Sequence, residues 1–411
     1  MSEYINNTEQ RINELYDFAK GIINGGKGIE LIKKYENAIE NVQAFDVVCV
    51  VDMLMKDKIE ISDLKTGINK ILNMFYKGLI NQQIPNYSEI PFLASLWHEN
   101  NELNTRLINL RPLIKELNKK EISNAKFQNV LQEIGLKVSE LASFEAHYIK
   151  KENILFPYVE KYLPEYRCQS VMWSYHDDIR QNIKDIVALS KEHKPDMRLL
   201  NRKIGDLFFV MYAIRFREEY ILFPVISKLI SDDEWIAMQL QSYEVGFAFI
   251  SPPEKPQKVG ADKTKDSAKI FDKDKLANSL LDLTTGLLSI DQIVLMMNNL
   301  PVDVTFVDEN DEVRYFSTPS HRIFPRSKAI IGRLVENCHP PSSVHIVKDL
   351  IDAFKSGKKD QESFWIEMGD NFILIRYFAL RDKEGNYKGT LEVSEEVSSI
   401  RKLTGEKRLM E

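Results

Sequence analysis

Cysteine is scarce in this sequence: among 411 residues there are only three, Cys49, Cys168 and Cys338. Their odd number and wide separation argue against structural disulfides and against a cysteine-ligated metal cluster, and they indicate a reducing compartment. Long apolar runs are also missing, because no stretch reaches the ~18 residues of a membrane-spanning helix. The polar N-terminus lacks the apolar core of a signal peptide. We therefore expect a cytoplasmic protein without membrane association.

An excess of positive charge is missing too. The net charge is −6, which gives no electrostatic footprint for nucleic acid. The sequence contains no phosphate-binding Gly-x-x-x-x-Gly-Lys-[Ser/Thr] motif and no helix-turn-helix with a basic recognition face. It offers no Ser-His-Asp or Cys-His arrangement to which a third group can be assigned. These absences favour a regulatory role over an enzymatic one, with the signal passing by contact with a partner.

The composition changes at residues 251–275, which are rich in Pro, Lys and Asp and nearly free of apolar residues. Such a stretch is typical of a linker. The chain before it shows helical periodicity, whereas the chain after it shows mixed helix and strand patterns. We predict a mainly α, multidomain protein with a helical domain at 1–85, a four-helix bundle at 86–250, the linker at 251–275 and an α/β domain at 276–411.

One short phrase occurs twice. Residues 150–157 read Lys-Lys-Glu-Asn-Ile-Leu-Phe-Pro, and residues 217–224 read Arg-Glu-Glu-Tyr-Ile-Leu-Phe-Pro. Each copy has a carboxylate two residues before Ile-Leu-Phe-Pro, at Glu152 and Glu219, and the first copy has His147 five residues before Glu152. A repeated helix with an inward carboxylate favours a four-helix bundle that holds metal. The proline is expected to end each helix.

The C-terminal part predicts a leading helix and then two strands, short helices and three strands. We expect the helix at 276–300, helical pieces within 327–356, and strands at 302–307, 313–316, 362–368, 371–381 and 387–396. Tight turns join the first two strands to each other and the last three strands to one another, which indicates a five-stranded antiparallel sheet. This order within about 110 residues is that of a PAS sensor domain.

Longer phrases carry a family resemblance. Residues 147–180, from His-Tyr-Ile-Lys-Lys-Glu through Tyr-His-Asp-Asp-Ile-Arg, resemble the hemerythrin-type (HHE) cation-binding domain. Residues 284–409 resemble a PAS domain through phrases such as Leu-Pro-Val-Asp-Val-Thr-Phe-Val. Residues 4–82 resemble the uncharacterised helical domain that precedes them in one branch of the family. The resemblance implies iron, bound between helices by imidazoles and carboxylates.

The predicted bundle contains four histidines. His193 lies in a predicted loop and is expected to be exposed, whereas the other three fall one on each of the first three predicted helices, which also carry one of the two repeated carboxylates. The candidate metal ligands are His98, His147, Glu152, His176 and Glu219. The family's first histidine aligns with His98 or with Asn100, and Arg180 stands one turn after His176. The fourth helix has Glu218 and Glu219 but no histidine. Three states remain open: two iron ions, one iron ion, or a metal-free network with arginines as charge partners.

The resemblance to PAS domains predicts a cavity between the sheet and the short helices of this domain. The candidate ligand-binding residues are Asn337, Cys338, His339, His345, Trp365 and Arg376. An imidazole of His339 or His345 could hold haem, but a rigid turn at His-Pro-Pro followed by a helix cap is favoured. Arg376 could pair with an acidic ligand, with Asp303 or with Glu392.

These predictions lead to one favoured function and two alternatives. The favoured function is a cytoplasmic sensor that couples the bundle to a PAS domain, which binds a small molecule or forms a dimer. Its partner would be another protein or a second copy, bound through the PAS and N-terminal helical domains. The alternatives are a non-haem iron enzyme acting on oxygen, peroxide or nitric oxide, and a metal-free scaffold.

Overall fold

The structure is a computed structural model that describes residues 2–57, 61–82, 84–164, 168–256, 280–320 and 322–406. It divides into two compact units, Met1–Gln257 and Lys258–Glu411. The predicted linker lies outside the described residues except for 251–256. None of the helices in the described ranges combines the length and apolarity needed to cross a membrane.

The first unit opens with five helices. They are α1 (Ser2–Ile23), α2 (Gly28–Lys34), α3 (Glu36–Glu40), α4 (Ala44–Lys56) and α5 (Ile61–Ile80). Helix α4 begins with a reciprocal cap between Gln43 and Asp46, and Arg11 of α1 binds the same carboxylate at 2.7 Å. Apolar residues of α1, α4 and α5 share one continuous core with the helices that follow.

Eight further α-helices follow in the described part of this unit and contain the four-helix bundle. They are α6 (Pro91–Leu117), α7 (Asn124–Glu140), α8 (Glu145–Lys150), α9 (Phe156–Tyr162), α10 (Cys168–Ser190), α11 (Met197–Arg217), α12 (Phe223–Ile226) and α13 (Asp232–Val245). Side-chain caps start two of them: Ser123 accepts from Lys126 at α7, and Asp196 accepts from two backbone amides at α11. The four helices of the bundle are formed by α6, by α7 to α9, by α10, and by α11 with α12.

The repeated phrase forms a π-helical turn in each copy, at Lys151–Leu155 and at Glu218–Leu222. Helix then continues through Phe-Pro as α9 and α12, so the expectation that the prolines end the helices is wrong. Proline has no N–H for a regular α-helical bond, and a wider turn accommodates this loss. In each copy three consecutive charged side chains are buried: Lys150, Lys151 and Glu152 in the first, and Arg217, Glu218 and Glu219 in the second. The extra residue in the wider turn lets consecutive side chains face inward.

The second unit has a two-stranded hairpin and a five-stranded sheet. Its elements are β1 (Leu280–Asp282), β2 (Leu287–Ser289), α14 (Ile290–Asn299), β3 (Asp303–Asp308), β4 (Val313–Phe316), α15 (Val344–Lys355), β5 (Gln361–Met368), β6 (Asn371–Arg381) and β7 (Tyr387–Glu396). The sheet order is β4-β3-β7-β6-β5, antiparallel throughout. The predicted five-stranded sheet is therefore confirmed. Of the expected helix at 276–300, the described residues 280–300 contain β1, β2 and α14, so only Ile290–Asn299 of that part is helical.

Candidate functional site

The centre of the bundle holds a connected series of buried charged side chains. His176 is fully buried, and its Nδ1 lies 2.7 Å from Glu152 Oε1. Arg180, one turn along α10, donates to both oxygens of Glu152 at 3.0 and 3.1 Å. Burial raises the pKa of Glu152, and Arg180 opposes that rise. The carboxylate of the first repeat is thus held by an imidazole and a guanidinium from the same helix.

Lys151, the residue before Glu152, completes the half of this series that contains His176 and Glu152. Its ammonium nitrogen lies 2.9 Å from His176 Nε2 and also binds Glu218 Oε1. Because an ammonium has only donors, Nε2 must accept, so Nδ1 carries the ring proton and donates to Glu152. Burial, together with Lys151, lowers the pKa of His176 well below its ordinary value, which keeps the ring neutral.

The other half of the series of buried charged side chains is built around His147 and Glu99. His147 Nδ1 lies 2.8 Å from Glu99 Oε2, and its Nε2 lies 3.1 Å from Glu218 Oε2. Lys150 binds the second oxygen of Glu99, which also accepts from the Ala248 backbone amide at 2.8 Å. All four of these ionisable side chains are fully buried. Glu99 therefore meets two donor side chains and a backbone N–H inside the bundle.

Glu218 joins the two halves. It accepts from Lys151 on one oxygen, and from Asn100 at 2.8 Å and His147 at 3.1 Å on the other. Burial opposes its ionisation, yet Lys151 and His147 lower its pKa to about 2. We name the buried set Glu99, Asn100, His147, Lys150, Lys151, Glu152, His176, Arg180 and Glu218 the bundle network.

The structure brings three of the five predicted metal ligands into the bundle network: His147, Glu152 and His176. His98 is exposed on α6, while its neighbours Glu99 and Asn100 face inward. Glu219 is buried, but its carboxylate accepts from Arg215 at 2.7 Å and no hydrogen bond joins it to an imidazole. Asn100, the alternative to His98, does occupy the inward position.

Sequence reasoning missed four members of the bundle network: Glu99, Lys150, Lys151 and Glu218. A signal for Glu99 existed, because it continues the apolar stripe of Phe92 and Leu96 at helical spacing. Lys150, Lys151 and Glu218 gave no such signal. On a regular helix, adjacent residues do not share a face, and the π-helical turns that bring Lys151 and Glu218 inward do not follow from periodicity.

The donors of the bundle network do not fit an iron ion as they are arranged. The lone pair of His176 Nε2 and an oxygen of Glu218 both point at the Lys151 ammonium, and Lys150 takes the equivalent place on Glu99. Protonated lysine cannot coordinate a metal. Among the described residues, no group of three or more His, Cys, Asp or Glu side chains is arranged to hold one. Cations of the chain itself neutralise the carboxylates.

The predicted ligand-binding residues of the second unit do not form one group. Trp365 and His345 are exposed, Trp365 by 65%. Arg376 pairs with Glu395 at 3.0 Å rather than with Asp303 or Glu392. Cys338 and Asn337 are partly buried in the short helix Val335–Cys338. His339 follows that helix and donates from Nδ1 to the Val335 carbonyl at 2.8 Å.

One face of the sheet carries buried polar groups. Thr305 of β3 lies opposite Glu392 of β7, and Ser394 lies two residues further along β7 on the same face. Thr305, Glu392 and Ser394 are at most 9% exposed. Arg326 binds Glu392 at 3.4 Å, and both influence the partly buried His339 electrostatically. We name Thr305, Arg326, His339, Glu392 and Ser394 the inner-face cluster.

Three atoms of the inner-face cluster lack hydrogen-bond partners within the described structure: Thr305 Oγ1, Ser394 Oγ and Arg326 Nε. Buried polar groups are nearly always paired, so unpaired ones call for an explanation. Arg376 and Trp365 lie on the opposite face, because strand residues alternate and Arg376 pairs in register with Val393. The candidate ligand site is therefore the inner-face cluster, of which the sequence identified only His339.

Family models match two parts of this chain. The hemerythrin HHE cation binding domain matches residues 92–226, and a PAS domain matches residues 293–398. The chain carries a hemerythrin HHE domain followed by a PAS domain. The predicted architecture is thereby confirmed. The HHE match spans the bundle from α6 to α12, including both π-helical turns, and the PAS match spans the five-stranded sheet.

Several solved structures are similar to part of the chain. A C-terminal domain from Streptococcus mutans is 28% identical, with 31% of this chain and 99% of that chain covered and a TM-score of 0.30. A PAS domain from Colwellia psychrerythraea is 17% identical, covering 27% and 98%, with a TM-score of 0.22. A sensory box sensor histidine kinase from Vibrio cholerae is 12% identical, covering 26% and 88%, with a TM-score of 0.21. None of the curated proteins matches the chain.

Proposed function

We propose that this chain is a cytoplasmic regulatory protein whose PAS domain senses a small polar ligand and whose HHE bundle is a metal-independent scaffold. The pairing of an HHE domain with a PAS domain fits a sensory or regulatory role. The observation that carries the sensing step is the set of buried, unpaired polar atoms in the inner-face cluster. The scarcity of cysteine supports a reducing compartment.

The ligand class follows from the groups that the inner-face cluster leaves unused. Arg326 Nε can only donate, whereas the hydroxyls of Thr305 and Ser394 can donate or accept. His339 uses Nδ1 as a donor to its own helix, so its Nε2 is an acceptor in the neutral ring. A small molecule with both acceptor oxygens and an N–H or O–H group would satisfy this set, as an amino acid, a hydroxy acid or a nucleobase does.

In this proposal the bundle acts as a scaffold and not as a reactive metal centre. In the bundle network, Lys150 and Lys151 bind the carboxylates of Glu99 and Glu218. Iron binding, which the family description raises, would require both ammonium groups to leave these oxygens. We propose that the output passes by contact to a protein partner or to a second copy of the chain.

A binding screen with the intact protein tests the sensing step. Thermal unfolding is followed with amino acids, small hydroxy acids and nucleobases, and each hit is confirmed by titration calorimetry. We expect at least one class to raise the melting temperature saturably. The double variant Thr305→Val/Ser394→Ala should weaken that binding at least ~10-fold, since each buried hydrogen bond is worth about 1 kcal/mol.

Variants on the two faces of the PAS sheet show which face binds the ligand. Arg376→Met changes the opposite face and should leave binding unchanged. If Arg376→Met abolishes binding while Thr305→Val/Ser394→Ala does not, the site lies on the other face. If no ligand binds and Thr305→Val/Ser394→Ala raises the stability, the hydroxyls are packing defects and the sensing proposal is wrong.

A further inference from the structure

The five-stranded sheet of the PAS domain has two edge strands, and its own chain covers one of them. The covered edge is β4, which has only four residues and meets β3 with a shift in register between Phe306 and Val307. On its outer side, Val313 donates to the Arg333 carbonyl at 2.9 Å and accepts from the Gly332 amide at 2.8 Å. A short, irregular and covered edge is protected from pairing with other molecules.

The opposite edge strand, β5, has none of this protection within the described structure. Its eight residues, Gln361–Met368, pair with β6 in one continuous register. They include no proline and no lysine, the residues that most often keep an edge from pairing. Among the described strands, β6 is the only neighbour of β5. A long and regular edge of this kind is a template for a further strand.

The alternation of the ladder shows which backbone groups of β5 point away from the sheet. The Ala379 amide of β6 donates to the Asp360 carbonyl at 2.8 Å, so Asp360 and every second residue after it direct their N–H and C=O groups to β6. The residues between them, which include Ser363, Trp365 and Glu367, direct these groups outward. No backbone hydrogen bond among the described residues uses the outward groups of Trp365 and Glu367.

Exposed apolar side chains accompany this open edge. Trp365 is 65% exposed, and Phe364, Ile366 and Met368 are each at least 38% exposed. Trp365 lies on the outer face of the sheet, whereas Phe364 and Ile366 lie on the other face. Contiguous exposed apolar residues mark interaction sites, and tryptophan is among the residues enriched at the centres of interfaces. The strand therefore offers both backbone groups and apolar area to a partner.

We propose that β5 pairs antiparallel with β5 of a second copy of this chain, which joins the two five-stranded sheets into one. A two-fold axis through Trp365, perpendicular to the sheet, places the most exposed side chain of the strand at the centre of the contact. The pairs that then lie opposite each other contain no like charges: Phe364 with Ile366, Ser363 with Glu367, and Glu362 with Met368. Because neither glutamate meets a glutamate, the strand is complementary to itself, and this favours a second copy over an unrelated strand.

The small size of the contact sets its strength. One strand edge and a few apolar side chains from each copy should bury less than the ~1,200 Å² above which complexes become stable, so we expect a dissociation constant on the order of 10 to 100 µM. This inference rests on the part of the proposed function in which the output passes to a second copy. Thr305 and Ser394 of the inner-face cluster lie on β3 and β7, so ligand binding and strand pairing can fail separately.

Analytical ultracentrifugation of the intact protein tests the pairing. Between about 1 and 500 µM, the mass should rise from that of one chain, 47.7 kDa, towards twice that value. Ser363→Pro should raise the dissociation constant at least ~10-fold, because proline removes an outward amide, which bonds the side chain of Glu362, and leaves the bonds to β6 in place. Trp365→Lys places a charge at the centre of the contact and should have the same effect, which keeps the test decisive if Ser363→Pro does not fold. Leu295→Lys changes an exposed apolar residue of α14 and should dimerise like the parent protein.

Hydrogen exchange at single residues locates the contact. In the dimer, the amides of Trp365 and Glu367 should exchange more slowly than in the monomer, whereas the amide of Phe364, which already faces β6, should change little. The mass of one chain up to about 500 µM overturns the pairing, and so does a dimer that Leu295→Lys dissociates but Trp365→Lys does not. Slow exchange at Trp365 in a monomer would show that another segment covers β5, which excludes the second copy. A ligand that binds a strictly monomeric protein would overturn this contact and leave the sensing step intact.

Discussion

Replacing Lys151 by methionine should destabilise the first unit severely. Lys151 is fully buried, and its ammonium serves Glu218 and His176 together. Methionine fills similar space but leaves a carboxylate without its counter-ion inside the bundle. Removing one partner of a buried ion pair typically costs 3–5 kcal/mol. For a unit of this size, each kcal/mol corresponds to about 2–4 °C, so we expect the melting temperature to fall by ~6–20 °C.

The assay is urea unfolding followed by circular dichroism, with two further variants. Lys151→Met/Glu218→Gln removes both charges and keeps an oxygen for Asn100 and His147, so it should regain at least half of the loss, since apolar or neutral replacements of buried pairs are tolerated. Lys137→Met removes a partly exposed lysine of α7 that lies 4.0 Å from Glu133, and it should cost less than about 1 kcal/mol. If Lys151→Met is as stable as Lys137→Met, the ion pair does not hold the bundle.

Two further predictions concern packing and acid sensitivity. Gly135→Ala should destabilise the bundle, because a Cβ there would lie 2.7 Å from Ser190 Cβ. Gly205→Ala places its Cβ where no atom lies within 4 Å, so it should stabilise the bundle by about 0.5–1 kcal/mol. Urea titrations of both variants measure these changes in the free energy of unfolding. Burial opposes ionisation of Glu234, but hydrogen bonds led by Lys161 lower its pKa to about 2. Its contribution is present above the unfolded pKa of about 4.3 and is lost as pH falls towards 2, so Glu234→Gln should lose about 1–2 kcal/mol at pH 7 and much less at pH 3 by thermal unfolding. An unchanged difference at the two pH values would contradict this reading of Glu234.

The architecture was predictable because periodicity and turn residues fix it. The strands of the PAS domain follow from alternating runs separated by Gly369-Asp370 and by the turn before Tyr387, and all five appear within a residue or two of their expected bounds. The hairpin of β1 and β2 was missed because each strand has only three residues, too few to show alternation.

The site was less predictable, because it depends on where the helices depart from regular geometry. His147, Glu152 and His176 could be found from their spacing. Lys151 could not, since facing inward beside Glu152 requires the π-helical turn. His98 was preferred by residue type, but the register of α6 turns Asn100 inward instead.

The unpaired atoms of the PAS domain were likewise hidden from the sequence. Thr305 and Ser394 read as ordinary strand residues, and only the register of β3 with β7 places them on one face beside Glu392. Arg217 is the first residue of the second repeated phrase, and only tertiary packing shows that its hydrogen bonds are to neutral groups. The sequence shows which residue types are present, whereas the hydrogen-bond partner of each side chain depends on the tertiary packing.

The metal content of the intact protein tests the central claim most directly. The protein is purified without chelator under anaerobic conditions, incubated with ferrous iron, desalted and analysed for iron together with an absorption spectrum. Because Lys150 and Lys151 bind the carboxylates of Glu99 and Glu218, we expect far less than stoichiometric iron and no oxo-bridge absorption in air. About one or two irons retained per chain, with both lysines unchanged, would contradict the account.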